Sequence, residues 1–295
     1  MVGTVAGIIE AVAGQFSAAG LVYGHGTDNA WDEAVALVLH VSGLPDDLSV
    51  MDTVLSAAEC AGIESLALRR IRERLPLPYL LGRVRFAGYP FHIEPGVVIP
   101  RSPIGQLVLD RFSPWLLEPP ETVVDVCCGS GCIGIAVALA FPEARVDLVD
   151  VAPQAIALTE KNIALHGLDD RVKVHRSDLF DGLVPGRWDL IVSNPPYVDR
   201  VDMASLPAEY VHEPALGLDG GVDGLDLVAR LLDALPSRLA PGGLFICEVG
   251  ASAPALLRRY PDLPFVWPDL PEGGEGVFLL TAESLAGARR EQTGA

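Results

Sequence analysis

Thr122-Val123-Val124-Asp125-Val126 runs into Cys127-Cys128-Gly129-Ser130-Gly131, and Cys132-Ile133-Gly134-Ile135-Ala136-Val137-Ala138-Leu139-Ala140 follows. This reads as a β-branched strand, a glycine-rich turn and a small-residue apolar helix, the opening unit of a doubly wound α/β sheet. Gly129 and Gly131 let the backbone turn tightly and approach a ligand closely. The dinucleotide spacing is met only with Gly134 as third glycine, and such a match is weak by itself. A second strand, Arg145-Val146-Asp147-Leu148-Val149-Asp150, ends in an acid about 20 residues after the turn, where a carboxylate reaches ribose hydroxyls. The alternative for Asp150 is a solvated strand end or the N-cap of the helix expected over 153–166.

Working outward, strands are expected at 122–126, 145–150, 172–175, 188–193 and 244–249. Helices are expected at 132–141, 153–166, 223–240 and 252–260, with Gly242-Gly243 parting a helix from the last of those strands. Strands alternating with helices imply a parallel sheet. Residues 276–281 read as an edge strand. Before this sheet, helical spacing occupies 5–22, 29–42, 47–61 and 63–75, with Asp28 or Asn29 as a cap. Arg85 to Ile93 alternates around Gly88-Tyr89-Pro90 as a short hairpin. The division is therefore a helical domain over 1–85, a hairpin linker over 86–103, a catalytic α/β domain over 104–285 and a disordered polar tail over 286–295.

A second motif, Asn194-Pro195-Pro196-Tyr197, follows the apolar run Trp188-Asp189-Leu190-Ile191-Val192-Ser193. The Asn194 side-chain oxygen can accept an N–H. Proline fixes φ and lacks an N–H, which leaves the Pro195 carbonyl outward as a second acceptor. Tyr197 can cover a planar group. The set suits a planar NH₂, whose poorly nucleophilic lone pair is aimed by holding both hydrogens. If only the ring face matters, Tyr197→Phe is mild. The same tetrapeptide is also an ordinary turn after a strand.

Together the two motifs resemble S-adenosylmethionine-dependent methyltransferases acting on amide or amine nitrogen. Val98-Ile99-Pro100-Arg101-Ser102-Pro103-Ile104-Gly105 resembles the linker of the bacterial protein-(glutamine-N5) methyltransferases. Ser177-Asp178-Leu179-Phe180, His212-Glu213-Pro214-Ala215-Leu216 and Asp223-Gly224-Leu225 resemble that family's later motifs. One branch of the family modifies peptide-chain release factors. The other modifies the third protein of the large ribosomal subunit, and Arg101-Ser102-Pro103-Ile104-Gly105 and the segment Tyr23 to Val35 are similar to this second branch. The resemblance covers roughly residues 16–285.

It implies a Rossmann-like sheet with an antiparallel last strand, and S-adenosylmethionine as cofactor. It implies a catalytic set of Asn194, Pro195, Pro196 and Tyr197. It places Asp125, Cys127, Cys128, Gly129, Ser130, Gly131, Asp150, Ser177, Asp178, Leu179 and Asn194 at the cofactor. Arg101 and Glu213 are candidates for contact with substrate, and Arg101 can instead pair with Glu213. Asn162 is expected at the surface and His212 in a structural or exposed place. Cys128 departs from the family, which often has Thr there.

Composition narrows the partners. The chain has 295 residues, half of them hydrophobic, enough for about two domains. No apolar run reaches the ~18 residues of a membrane span, and the N-terminus lacks a basic signal-peptide region. A cytoplasmic location is expected, with Cys60, Cys127, Cys128, Cys132 and Cys247 as free thiols. The six histidines lack metal-ligand spacing, so no metal is expected. A net charge of −18 disfavours direct sequence-specific nucleic-acid binding, which relies on Lys and Arg. It suits a basic protein such as a ribosomal protein, though acidity also serves solubility. Three alternatives remain: the same chemistry on a release factor, adenine amino-methylation of nucleic acid, and a non-catalytic nucleoside-binding module.

Overall fold

Thr4 accepts the Gly7 amide and starts α1 (Val5–Ala18), which buries Val5, Ile9, Val12 and Phe16. Asn29 accepts the Asp32 amide to cap α2 (Ala30–Ser42), and Gly43 ends it in the left-handed conformation. The computed structural model describes residues 3–293. It departs from the helices expected at 47–61 and 63–75: Leu48–Val50 is a single 3-10 turn, and one helix, α3 (Ala57–Glu73), crosses the supposed break. A Ser56/Glu59 capping box fixes its start. Gly62 lies inside it because α2 is close; a β-carbon there would meet Val41 at 3.3 Å.

α4 (Leu77–Leu81) forms across prolines that read as the end of the helical part. Pro78 sits in its first turn, where no amide donor is needed. Helices α1–α3 close around Ile9, Phe16, Leu37, Val38 and Ile63.

β1 (Arg83–Phe86) and β2 (Tyr89–His92) pair through a turn at Ala87 and Gly88, both with positive φ. Phe86, Phe91, Ile93, Val97 and Ile99 pack into the core beneath the large sheet, not into the helical cluster. The hairpin and linker are thus part of the sheet's packing. α5 (Ile104–Leu109) follows.

The sheet is laid down by β3 (Thr122–Val126), α6 (Cys132–Ala140), β4 (Arg145–Asp150), α7 (Pro153–Leu165), β5 (Val172–Arg176) and β6 (Trp188–Ser193). After the one-turn α8 (Arg200–Met203) come α9 (Asp226–Arg238), β7 (Leu239–Glu248), α10 (Ala253–Arg259), β8 (Val277–Thr281) and α11 (Ala282–Thr293). Strand order is β5-β4-β3-β6-β7-β8, parallel except for β8. This is the expected α/β class. The order reverses between β3 and β6, which opens a crevice at their carboxyl ends.

Two boundaries moved. β7 begins at Leu239, opposite Trp188, and Leu244 is opposite Leu190, so Pro241-Gly242-Gly243 bulges within the strand and does not precede it. α11 extends through Thr293, over most of the stretch expected to be a disordered tail; residues 294–295 lie outside the described part.

A buried ion network joins the helical part to the chain beyond β6. Arg70, 1% exposed, pairs with Glu33 and Glu209 and donates to the Val22 carbonyl at 3.0 Å. Glu209 also accepts from Arg74 at 3.3 Å and from the Val22 amide at 3.1 Å. His212 bonds the Glu73 carbonyl at 2.8 Å. The segment after Tyr197 is therefore held by α3.

Candidate functional site

A cavity of about 550 Å³ opens at the carboxyl ends of β3, β4 and β6. The glycine-rich turn forms its floor. Asp150 holds that turn: its Oδ2 accepts the Gly129 amide and its Oδ1 the Ala152 amide, each at 2.9 Å. Thr159 of α7 donates to the Gly129 carbonyl at 2.9 Å. Asn162, fully buried and not at the surface as expected, donates to the carbonyls of Ser130 (2.9 Å) and His92 (3.1 Å) and accepts the His92 amide. It pins the turn to β2. Gly134 lets α6 press on the sheet, since a β-carbon there would run into the Leu148 side chain.

Cys127, Cys128, Gly129, Ser130, Asp150, Ser177, Asp178, Leu179 and the whole Asn194-to-Tyr197 turn line the cavity. Asp125 and Gly131, also expected at the cofactor, do not line it. Asp125 lies fully buried beneath the turn; its Oδ2 accepts the Gly134 amide at 2.8 Å, and Oδ1 has no partner among the described residues. Burial, and less so the Asp150 charge, push its carboxyl up to about 7. Gly131 faces α7, where a β-carbon would meet Thr159 at 2.8 Å. Ser177 accepts the Gly182 amide at 2.6 Å, and Asp178 pairs with Arg230 at 2.9 Å. The five cysteines are free; burial pushes the Cys132 thiol up to about 12 and raises those of Cys127 and Cys128 well above the usual range as well.

Asn194 Oδ1 is buried in the cavity wall without a hydrogen-bond partner among the described residues. Tyr197 donates to Glu248 Oε1 at 2.6 Å, and its carbonyl accepts from Ser252 at 2.9 Å. Glu248, at the end of β7, was missed by sequence reasoning. Its one signal was an acid closing an apolar run at a strand's carboxyl end, the edge where ligands bind.

Arg101 lines the cavity, but Glu213 does not. The pair is bidentate, with distances of 2.7 and 2.8 Å, and Glu213 also accepts the Ile99 amide at 2.8 Å. His25 Nε2 approaches it to 3.5 Å, an electrostatic contact longer than a hydrogen bond. Both Glu213 oxygens are engaged, so its expected contact with substrate is replaced by a hold on Arg101. Burial alone would raise this carboxyl. His25, the Arg101 bonds and charge, and the Ile99 amide outweigh that and hold it at about 2, against an ordinary 4.5.

A carboxyl depressed in the folded state stabilises above its unfolded pKa, and that stability is lost as pH falls toward the folded one. The stability gap between wild type and Glu213→Gln should therefore shrink by about 3 kcal/mol as pH falls from about 5 to 2. Urea titrations across that range measure it; a gap that stays constant would show that the ionised pair does not stabilise the fold.

Among the described residues no group of three or more His, Cys, Asp or Glu side chains is arranged for a metal, and no helix is long and apolar enough to cross a membrane.

Residues 106–216 match the family described as methyltransferase small domain. The ribosomal protein uL3 glutamine methyltransferase of Bordetella pertussis is 43% identical over 286 residues, 96% of each chain. The protein of the same name from Francisella tularensis is 43% identical over 92% of this chain and 88% of its own. The crystal structure of the hMettl16 catalytic domain shares the fold, with a TM-score of 0.51 at 17% identity over 82% of this chain and 90% of that one.

Proposed function

The chain belongs to the ribosomal protein uL3 glutamine methyltransferases, and we propose that it methylates the side-chain amide nitrogen of a glutamine in uL3, with S-adenosylmethionine as the methyl donor. The observation that carries this is Asn194 Oδ1. A buried acceptor without a partner costs roughly 1–3 kcal/mol, a cost that an amide N–H of the substrate removes.

The cavity fits the donor. Its volume of about 550 Å³ is in the range of small-molecule sites. Gly129 and Ser130 bring backbone to its floor. Each Asp150 oxygen has a spare lone pair for a ribose hydroxyl beside its amide contact. Ser177, Asp178 and Leu179 lie along the same cavity. Cys128 keeps the backbone contacts of the turn without the hydroxyl a threonine would offer there. Asp125 acts from beneath, by holding the start of α6.

When bound, S-adenosylmethionine supplies an electrophilic methyl group open to direct displacement by the amide nitrogen. Asn194 Oδ1 accepts one amide N–H and the Pro195 carbonyl the other, while Pro196 keeps the turn rigid. Tyr197 covers the amide plane. Alignment of this kind is worth as much as roughly 7–11 kcal/mol. The proton leaves to water, so no side chain serves as base. Arg101, held by Glu213, borders the opening for the substrate. The helical domain recognises the protein surface, and −18 of net charge favours a basic partner. A ribosomal substrate implies the cytoplasm, which suits five free thiols.

The test is radiolabelled methyl transfer into a panel of purified uL3, other ribosomal proteins, release factors and adenine-containing nucleic acid. Label should enter uL3 and disappear on substitution of one glutamine. Efficient labelling of a release factor with none in uL3 would reassign the substrate. Asp150→Ala should weaken cofactor binding by about ten- to a hundredfold, the value of a charged hydrogen bond. Calorimetry that finds unchanged affinity in a folded variant would remove Asp150 from the cofactor site.

A further inference from the structure

Glu248 shares the carboxyl edge of the sheet with Asn194, and nothing in the proposed chemistry uses it. It is 5% exposed and does not line the cavity. Its Oε1 accepts the Tyr197 hydroxyl at 2.6 Å and its Oε2 the Ser102 hydroxyl at 2.5 Å. Ser102 Oγ itself accepts the Ile104 amide at 3.2 Å, which leaves its proton for Glu248. The two hydroxyls come from different walls of the cavity. Tyr197 closes the turn after β6, and Ser102 belongs to the linker beside Arg101; all three residues line the cavity.

Burying a carboxylate whose hydrogen-bond partners are both neutral is costly. A strand end whose own face continues the fully buried Leu244 and Ile246 would be satisfied by an apolar residue. What a carboxylate adds is the ability to accept from two hydroxyls at once. Along the Cδ2–Cε2–Cζ edge of the ring, the Gly250 backbone comes so close that a β-carbon there would lie 2.5 Å from Tyr197 Cε2. The ring is held along that edge by Gly250 and anchored at its hydroxyl by Glu248.

We infer that Glu248 is a positioning residue for methyl transfer, which fixes the Tyr197 ring against the acceptor amide and ties the linker wall to the catalytic turn. This rests on the functional reading above. It also alters the expectation for Tyr197→Phe. A ring-face role alone makes that change mild; an anchored ring makes it costly, because it frees the ring tip and leaves Glu248 Oε1 buried without a donor.

The experiment uses full-length wild type, Glu248→Ala, Glu248→Gln, Tyr197→Phe and the double variant Glu248→Ala/Tyr197→Phe. Each is assayed for kcat and KM on uL3, for S-adenosylhomocysteine affinity by calorimetry, and for thermal unfolding. Glu248→Ala and Tyr197→Phe should each lower kcat about tenfold or more, with S-adenosylhomocysteine affinity within about twofold of wild type. Glu248→Gln, which keeps an acceptor for the phenol, should recover part of the loss. The double variant should be no slower than the worse single, as for groups that act as one unit. Penalties that multiply, or a folded Glu248→Ala with wild-type kcat, overturn the assignment. If Glu248→Ala does not fold, wild-type kcat in both Glu248→Gln and Tyr197→Phe overturns it. Wild type that labels no uL3 defeats the functional reading and this inference with it, whereas wild type and variants labelling uL3 alike defeat the inference alone.

Discussion

Asn194→Ala is expected to cut turnover on uL3 at least about a hundredfold, the scale on which a misplaced reactant loses its attack geometry, and to leave cofactor affinity and stability nearly unchanged. The strand that ends just before Asn194 does not depend on its side chain. Ser193 Oγ donates to the Val126 carbonyl at 2.7 Å and locks the ends of β6 and β3 together. Asn194 Oδ1 has no partner among the described residues, so its removal orphans nothing there, and the loss of an unsatisfied buried acceptor can raise stability slightly. This combination separates a catalytic contact from a structural one. Single-turnover kinetics, calorimetry with S-adenosylhomocysteine and a thermal melt measure the three quantities. Wild-type turnover in the variant would sink the mechanism, and a large fall in stability would make Asn194 a structural residue.

Arg70→Met is expected to destabilise the fold by about 3–5 kcal/mol, the cost of breaking a buried ion pair from one side. Glu33 and Glu209 are 3% and 1% exposed and would remain as buried acids, Glu209 with only the partly exposed Arg74 beside it. Replacing the acids as well, in Arg70→Met/Glu33→Gln/Glu209→Gln, should restore much of the loss, because the penalty is that of uncompensated charge. Denaturant titrations of the single and triple variants decide this. A single variant within 1 kcal/mol of wild type, on the order of an exposed pair, would show that the network is not desolvated. The network also ties α3 to the segment after Tyr197, so the single variant should raise KM for uL3 more than it weakens cofactor binding.

The α/β class, the strand-turn-helix at 122–140 and the strand end before Asn194 were legible because each is local. A β-branched run, two glycines and a small-residue helix are contiguous, and side-chain period alone fixes which faces are buried. The capping box at Ser56 and Glu59 was equally local, and reading it would have corrected the helix division that periodicity misplaced, since an apolar stripe gives a face but not a start. The disposition of the site was not legible. Asp125 and Gly131 stand in the same motif as Gly129, yet whether a residue faces the cavity, the sheet or α7 depends on how α6 and α7 pack. Arg101 and Glu213 are 112 residues apart, Ser102 and Glu248 are 146 apart, and Asn162 reaches His92 across 70. Sequence by itself determined which turns line the cavity, because helix, strand and turn preferences act over a few residues. Only the tertiary structure decided which buried polar groups hold those segments in place, because each such group takes whatever partner the packed chain brings to it, and no short-range pattern records that partner.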